Sequence, residues 1–308
     1  MLEFSADRPK ITFKMAATRY LEVVKKKSIR DDIIHLDQLI PYIGNLELKQ
    51  VHDETLKPFI RDRLKNGRKQ QTVNRALEVV RRILNLATRS WRLSNDLTWL
   101  ETAPLITMLP GSDSLKPYPL DWDEQDRLFK FLPDNLAEMA LYKVNTGCRE
   151  QEVCKLRWDW EWVNDSDLKG RIFIIPDSFT KNGEGRLVVL NDIAKSVIDR
   201  RRGNGLETVF EPIKQMSLCQ WRNAWRDAGL PLTGHVRGVH NLRHTFGRRL
   251  RAAGVGLETR KVLLGHKNGD ITSHYSVPEI QELLNAVQKL CSSRKSPALT
   301  LVKIRAAS

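Results

Sequence analysis

A chain of 308 residues is long for one hydrophobic core and comfortable for two, and no apolar run in it approaches the length of a membrane span. Its 51 Lys and Arg against 37 Asp and Glu leave a net charge of +14, a balance that favours a polyanionic partner, nucleic acid above all. The N-terminus lacks the charged-then-apolar pattern of a signal peptide, and the four scattered cysteines form no close metal-binding pair, so reduced thiols in a cytoplasmic protein are expected.

Apolar positions at helical spacing (Phe13, Ala16, Ala17, Tyr20, Leu21, Val24) predict a first helix over residues 12–27. A second is expected over 30–44, stopped or bent by Pro41, and a third over 53–65, ending at Asn66-Gly67. The fourth, over 72–90, has the clearest stripe, from Val73 to Ala87, with Thr72 as its expected cap. Its other face carries Arg75, Arg81, Arg82 and Arg89, and Lys65, Arg68 and Lys69 lie just before it. So many cations with a single acid, Glu78, suggest phosphate contact, although a charged outer face usually serves solvation alone.

Between Leu109 and Pro119 periodicity fails among Gly, Ser and three prolines, which reads as an extended linker over 110–119. Helices are expected over 122–131 and 134–146. The period then changes to two: residues 171–176 and 186–190 read as strands, with 181–185 as the turn region between them. Helices resume over 192–202, 215–228, 239–253 and about 256–264. Ser276-Val277-Pro278-Glu279 reads as a capping box that opens an amphipathic helix to about Leu290.

Two stretches concentrate the chemistry. Near the C-terminus stand His240 and Arg243 three residues apart, then His266, then Tyr275 nine residues later. Such a set suits phosphodiester chemistry without a metal: arginine offsets charge on non-bridging oxygens, histidines handle protons and a phenol attacks. His240 and His244 at i and i+4 also match a zinc pair on a helix, but position 241 is Asn and no third ligand is evident. Upstream, residues 145–158 read Asn-Thr-Gly-Cys-Arg-Glu-Gln-Glu-Val-Cys-Lys-Leu-Arg-Trp. Taken alone, Arg149 and Glu152 would be an ion pair on a helix surface, and Lys181 an ordinary turn lysine.

The upstream stretch resembles the Thr-Gly-x-Arg-x-x-Glu-x-x-x-Leu-x-Trp signature of tyrosine recombinases, the phage integrase family. Thr180-Lys181-Asn182, His240-x-x-Arg243-His244-Thr245-Phe246, Leu264-Gly265-His266 and Tyr275 resemble the later family motifs, in order. The resemblance spans roughly residues 12–290. It implies a mainly α fold: an all-α, SAM-like four-helix core-binding domain (residues 1–109), the linker, a mixed α+β catalytic domain of the DNA breaking–rejoining type with a small antiparallel sheet (120–290), and a tail (291–308).

The resemblance further implies that Arg149, Lys181, His240, Arg243, His266 and the nucleophile Tyr275 are catalytic, with Glu152 supporting. Lys65, Arg68, Lys69, Arg75, Arg81 and Arg82 are the expected DNA contacts. No cofactor and no metal are expected. The implied partners are double-stranded DNA, three further copies of the chain in a homotetramer on synapsed sites, and DNA-bending accessory proteins. The implied location is the cytoplasm, at the nucleoid. The helix 279–290 and the tail beyond are expected to dock onto a neighbouring protomer. Only about eleven residues precede the first helix, too few for an arm-site-binding domain, which suggests an arm-independent recombinase or a shortened integrase. A type IB topoisomerase-like enzyme and a catalytically silent DNA-binding regulator are the competing readings.

Overall fold

The computed structural model describes residues 8–162, 171–180, 183–266 and 280–292. The chain folds as two compact units, Met1–Ser114 and Leu115–Ser308. It is mainly helical, with one two-stranded antiparallel sheet among the described residues.

The first unit is built from α1 (Phe13–Val23), α2 (Ile29–Ile43), α3 (Asp53–Lys65) and α4 (Gln70–Arg89). The stripe of α4 from Val73 to Ala87 lies at the centre of its core, packed with Phe13, Tyr20, Leu39 and Phe59. Residues 91–109, which carry no helical or strand period, close that core through Trp91, Leu100 and Ile106. Side chains rather than a backbone ladder fasten this segment: Asn74 both donates to and accepts from the backbone of Leu109 (2.9 and 2.8 Å), and Thr107 donates its hydroxyl to Asp53 at 2.6 Å.

Two local expectations differ. Pro41 lies within α2, which runs on to Ile43. So close to the helix end, the missing N–H costs little, and Gly44 still donates to the Ile40 carbonyl at 2.9 Å. Thr72 does not cap α4; the helix starts two residues earlier, and the Asp113 carboxylate accepts from the Gln70 N–H at 2.7 Å. This cap arrives from 43 residues away, so local pattern could not reveal it.

The second unit contains α5 (Trp122–Lys130), α6 (Asp134–Thr146), α7 (Glu150–Cys154), strands β1 (Ile172–Ile175) and β2 (Arg186–Val189), α8 (Asp192–Arg201), α9 (Leu218–Asp227), α10 (His240–Ala252), α11 (Leu257–Leu264) and α12 (Ile280–Ser292). The register pairs Ile172 with Val189 and Ile175 with Arg186. Helix α6 is central, packed on both α8 and α10. A large core surrounds Tyr142, Phe173, Phe210, Trp221 and Trp225, and a second gathers Val189, Phe246, Leu250 and Leu263 against Leu283, Val287 and Leu290. Leu283, Ala286, Val287 and Leu290 of α12 pack into their own unit; Ser276 to Glu279 and the tail from 293, on which the expected docking onto a neighbour also rests, lie outside the described residues.

Helix α6 ends at Gly147 in the left-handed conformation, φ +64°. A Cβ there would stand 2.4 Å from the ring of Phe246 on α10. Gly147→Ala is expected to cost about 2–4 kcal/mol, combining left-handed strain with overpacking. Urea denaturation checks this, and a loss below about 0.5 kcal/mol would show that the ring moves aside freely.

Candidate active site

Four stretches meet in the second unit: the turn after α6, the inner end of β2, the start of α10 and the end of α11. Arg149 is the N-cap of α7, and Glu152 reaches back to accept its backbone N–H at 2.7 Å and its Nη1 at 2.8 Å. The other guanidinium nitrogen of Arg149 donates to the Gly265 carbonyl at 3.0 Å. Arg243, 5 % exposed, donates Nη1 to the Gly147 carbonyl at 2.6 Å and Nη2 to the Leu264 carbonyl. Both arginines therefore span the same gap, from the turn after α6 to the end of α11. Burial, then the nearby Arg186 and Arg149, push Arg243 down to about 10. Burial alone would raise the Glu152 carboxyl, but Arg186 and then Arg149 outweigh it and hold it below its ordinary value.

The histidines stand around this gap. His240 opens α10, and its ring meets that of His244 edge to face at 4.9 Å. Partial burial, then His244, Lys143, Arg243 and Arg149, push His240 down to about 4. His240 as a whole remains exposed, which moderates the shift without changing its direction, since burial and the neighbouring cations act in the same sense. His266 follows the left-handed Gly265, which ends α11, and is also lowered, by burial and then Arg243, Arg149 and Arg186. It lines a cleft of about 220 Å³ with Arg149, Thr180, Glu184 and Val262. Thr180 and Glu184 are fastened to each other by a 2.7 Å bond from the threonine hydroxyl to the Glu184 carbonyl. Lys181 and Tyr275 lie outside the described residues.

A histidine with a depressed pKa is neutral at pH 7, ready to accept a proton or hydrogen-bond a phosphate oxygen. The unfolded chain takes up protons below about pH 6.5 that these histidines refuse, so stability is expected to fall as pH drops from there. Proton NMR titration of His240, assigned with His240→Gln, is expected to find a midpoint far below the ordinary value. A midpoint near 6.5 would mean that neither burial nor the neighbouring cations act on the ring.

Two residues of this region escaped the sequence reading. Arg186, 4 % exposed, ion-pairs with Glu152. Lys143, fully buried on α6, donates to the Cys148 carbonyl at 2.5 Å. Each had a signal: Arg186 shares the inward period-two face of its strand with Val188, and Lys143 continues the buried stripe of Leu136, Met139 and Ala140. Burial pushes Lys143 down to about 8. Its ammonium therefore costs stability that is recovered as pH rises from about 8 towards 10, where the unfolded lysine also becomes neutral. Relative to wild type, Lys143→Met is expected to lose roughly 2 kcal/mol of stability advantage between about pH 7.5 and pH 9.5. A pH-independent difference in denaturation would sink the idea.

Among the described residues, no three His, Cys, Asp or Glu side chains gather as metal ligands, and no helix is long and apolar enough to cross a membrane. In the first unit, Lys65, Arg68, Lys69, Arg75, Arg81 and Arg82 are all exposed. Arg75 and Arg82 line a cleft of about 610 Å³ that also holds Lys26, His35, Asp32 and Glu78. Those two cations thus have acids close by, while Lys65 and Arg68 flank the turn between α3 and α4.

Residues 120–282, more than half of the chain, match the Phage integrase family. The chain belongs to that family. It is a site-specific recombinase of the tyrosine type. This recombinase is similar to the integrase of Salmonella phage P22, at 23% identity over 88% of this chain and 77% of that protein. It is similar also to the tyrosine recombinase XerA of Thermococcus kodakarensis, at 26% identity over 72% of this chain and 77% of that one. Its fold resembles that of lambda integrase in a tetramer bound to a Holliday junction, with a TM-score of 0.63 at 16% identity over 90% of this chain and 82% of the other.

Proposed function

We propose that the recombinase cleaves double-stranded DNA by attack of the Tyr275 phenol oxygen on phosphorus. The new bond is a 3′-phosphotyrosine, the bond from phosphorus to the 5′ oxygen breaks, and a 5′-hydroxyl leaves. His240 takes the phenol proton, and Lys181 gives a proton to the departing oxygen. Arg149 and Arg243 hold the non-bridging oxygens, His266 hydrogen-bonds one of them, and Glu152 orients Arg149. A 5′-hydroxyl from a second duplex then attacks the phosphotyrosine, so exchange conserves bond energy and needs no nucleotide cofactor. The observation that carries this reading is the convergence of Arg149 and Arg243 on the same two turns, with neutral His240 and His266 beside them.

Residues 1–109 would serve as the core-binding domain, touching backbone phosphates through Lys65, Arg68, Lys69, Arg75, Arg81 and Arg82. Residues 120–290 would form the catalytic domain. The likeness to a tetramer of lambda integrase on a Holliday junction supports four protomers on two synapsed sites; in this reading DNA-bending proteins assist and the nucleoid is the workplace.

Covalent capture tests the proposal. The protein is incubated with host genomic DNA, denatured in detergent, and the attached fragments are sequenced. Adducts at a discrete site, and strand exchange between two copies of it, are expected. Adducts scattered over the genome would point instead to relaxation without exchange, and no adduct at all would point to a binding protein without catalysis.

A further inference from the structure

Arg186 opens β2 with its guanidinium shut away from solvent, yet it touches both supports of Arg149. Its Nη1 ion-pairs with Glu152 Oε2, the same oxygen that takes the Arg149 N–H, while Oε1 takes Arg149 Nη1 at 2.8 Å. Its Nη2 donates to the Leu263 carbonyl at 2.9 Å and the Thr146 carbonyl at 3.3 Å. Its stem lies under Gly265, where a Cβ would stand 2.9 Å from Arg186 Cδ. The Gly265 carbonyl is the other support of Arg149, at 3.0 Å.

One carboxylate thus serves two guanidiniums. Were Arg186 absent, Glu152 would pair with Arg149 alone, neutralise it, and draw it towards the interior. With Arg186 present, the carboxylate is shared, and Arg149 keeps positive charge on a side chain that is 20 % exposed. The contacts to Thr146 and Leu263 also fix the distance between the α6 turn and α11, the gap that Arg149 and Arg243 bridge.

We infer that Arg186 is a positioning residue for strand cleavage, acting through Arg149 by sharing Glu152 and by clamping the end of α6 to the end of α11. This rests on the proposed grip of Arg149 on the phosphate.

The test uses the full chain and the duplex recovered by covalent capture, reading single-turnover adduct formation, DNA affinity by fluorescence anisotropy, and thermal unfolding. Arg186→Met is expected to slow adduct formation about 30-fold or more, with affinity changed less than about threefold. Arg186→Lys keeps the charge but not the three-point fork, and should restore part of the rate. In an Arg149→Ala background, Arg186→Met should add less than about a threefold loss, because the residue it positions is gone. An equal fold loss in both backgrounds, or wild-type cleavage by Arg186→Met, would overturn the inference. Wild-type cleavage by Arg149→Ala would instead overturn the role proposed for Arg149. If Arg186→Met does not fold, Arg186→Lys decides: an approximately tenfold slower cleavage at near wild-type melting temperature is expected, and an unchanged rate refutes the positioning role.

Discussion

Arg243→Ala is expected to lower single-turnover adduct formation by about 10³-fold, the scale on which a cation or donor aimed at developing charge contributes. DNA affinity should change far less, because it is spread over many phosphate contacts along the duplex. The loss has two parts. The transition state is deprived of a guanidinium, and the Gly147 and Leu264 carbonyls are left without their donor. Arg243→Lys should therefore recover little, since one ammonium on a flexible stem cannot reach both carbonyls and a phosphate oxygen. A rate within tenfold of wild type for Arg243→Ala, on a chain that binds DNA and melts normally, would remove Arg243 from the catalytic set.

Tyr275→Phe should reduce covalent adduct below detection, at least about 10⁴-fold, with DNA binding intact. The substitution deletes one oxygen, and none of the other proposed catalytic residues is an equivalent nucleophile: the histidines, arginines and lysine are proposed for proton transfer and charge. The same adduct assay reports a second outcome. Cleaved DNA without attached protein would mean that the site activates water, and the nucleophile would have to be reassigned.

The regular elements were legible because their periods are strong. Helix α3 runs over Asp53–Lys65 and α6 over Asp134–Thr146, as their stripes and end signals indicate, and the two strands fall within a residue of the expected ones. The motif residues Arg149, Glu152, Arg243 and His266 could be listed from the sequence, but their mutual placement could not. It depends on Arg186 and Lys143, which stand at inward-facing positions of their elements but whose charge argues against burial when local pattern alone is read. Helix α7 has five residues, too few for a periodic signal. The cap of α4 by Asp113 and the packing of residues 91–109 through side-chain hydrogen bonds were invisible for a related reason: both are contacts between distant parts of the chain.

The carbonyls that hold these cations all belong to helix ends. Thr146, Gly147 and Cys148 at the close of α6 accept from Arg186, Arg243 and Lys143, and Leu263, Leu264 and Gly265 at the close of α11 accept from Arg186, Arg243 and Arg149. Each helix terminus carries roughly half a negative charge in aligned peptide dipoles. Beside the Glu152 carboxylate, the free enzyme thus supplies part of its counter-charge from backbone, which neither takes up protons in mild acid nor is carried off by added salt. In the proposed reaction, arriving DNA meets cations already held in place by these helix ends.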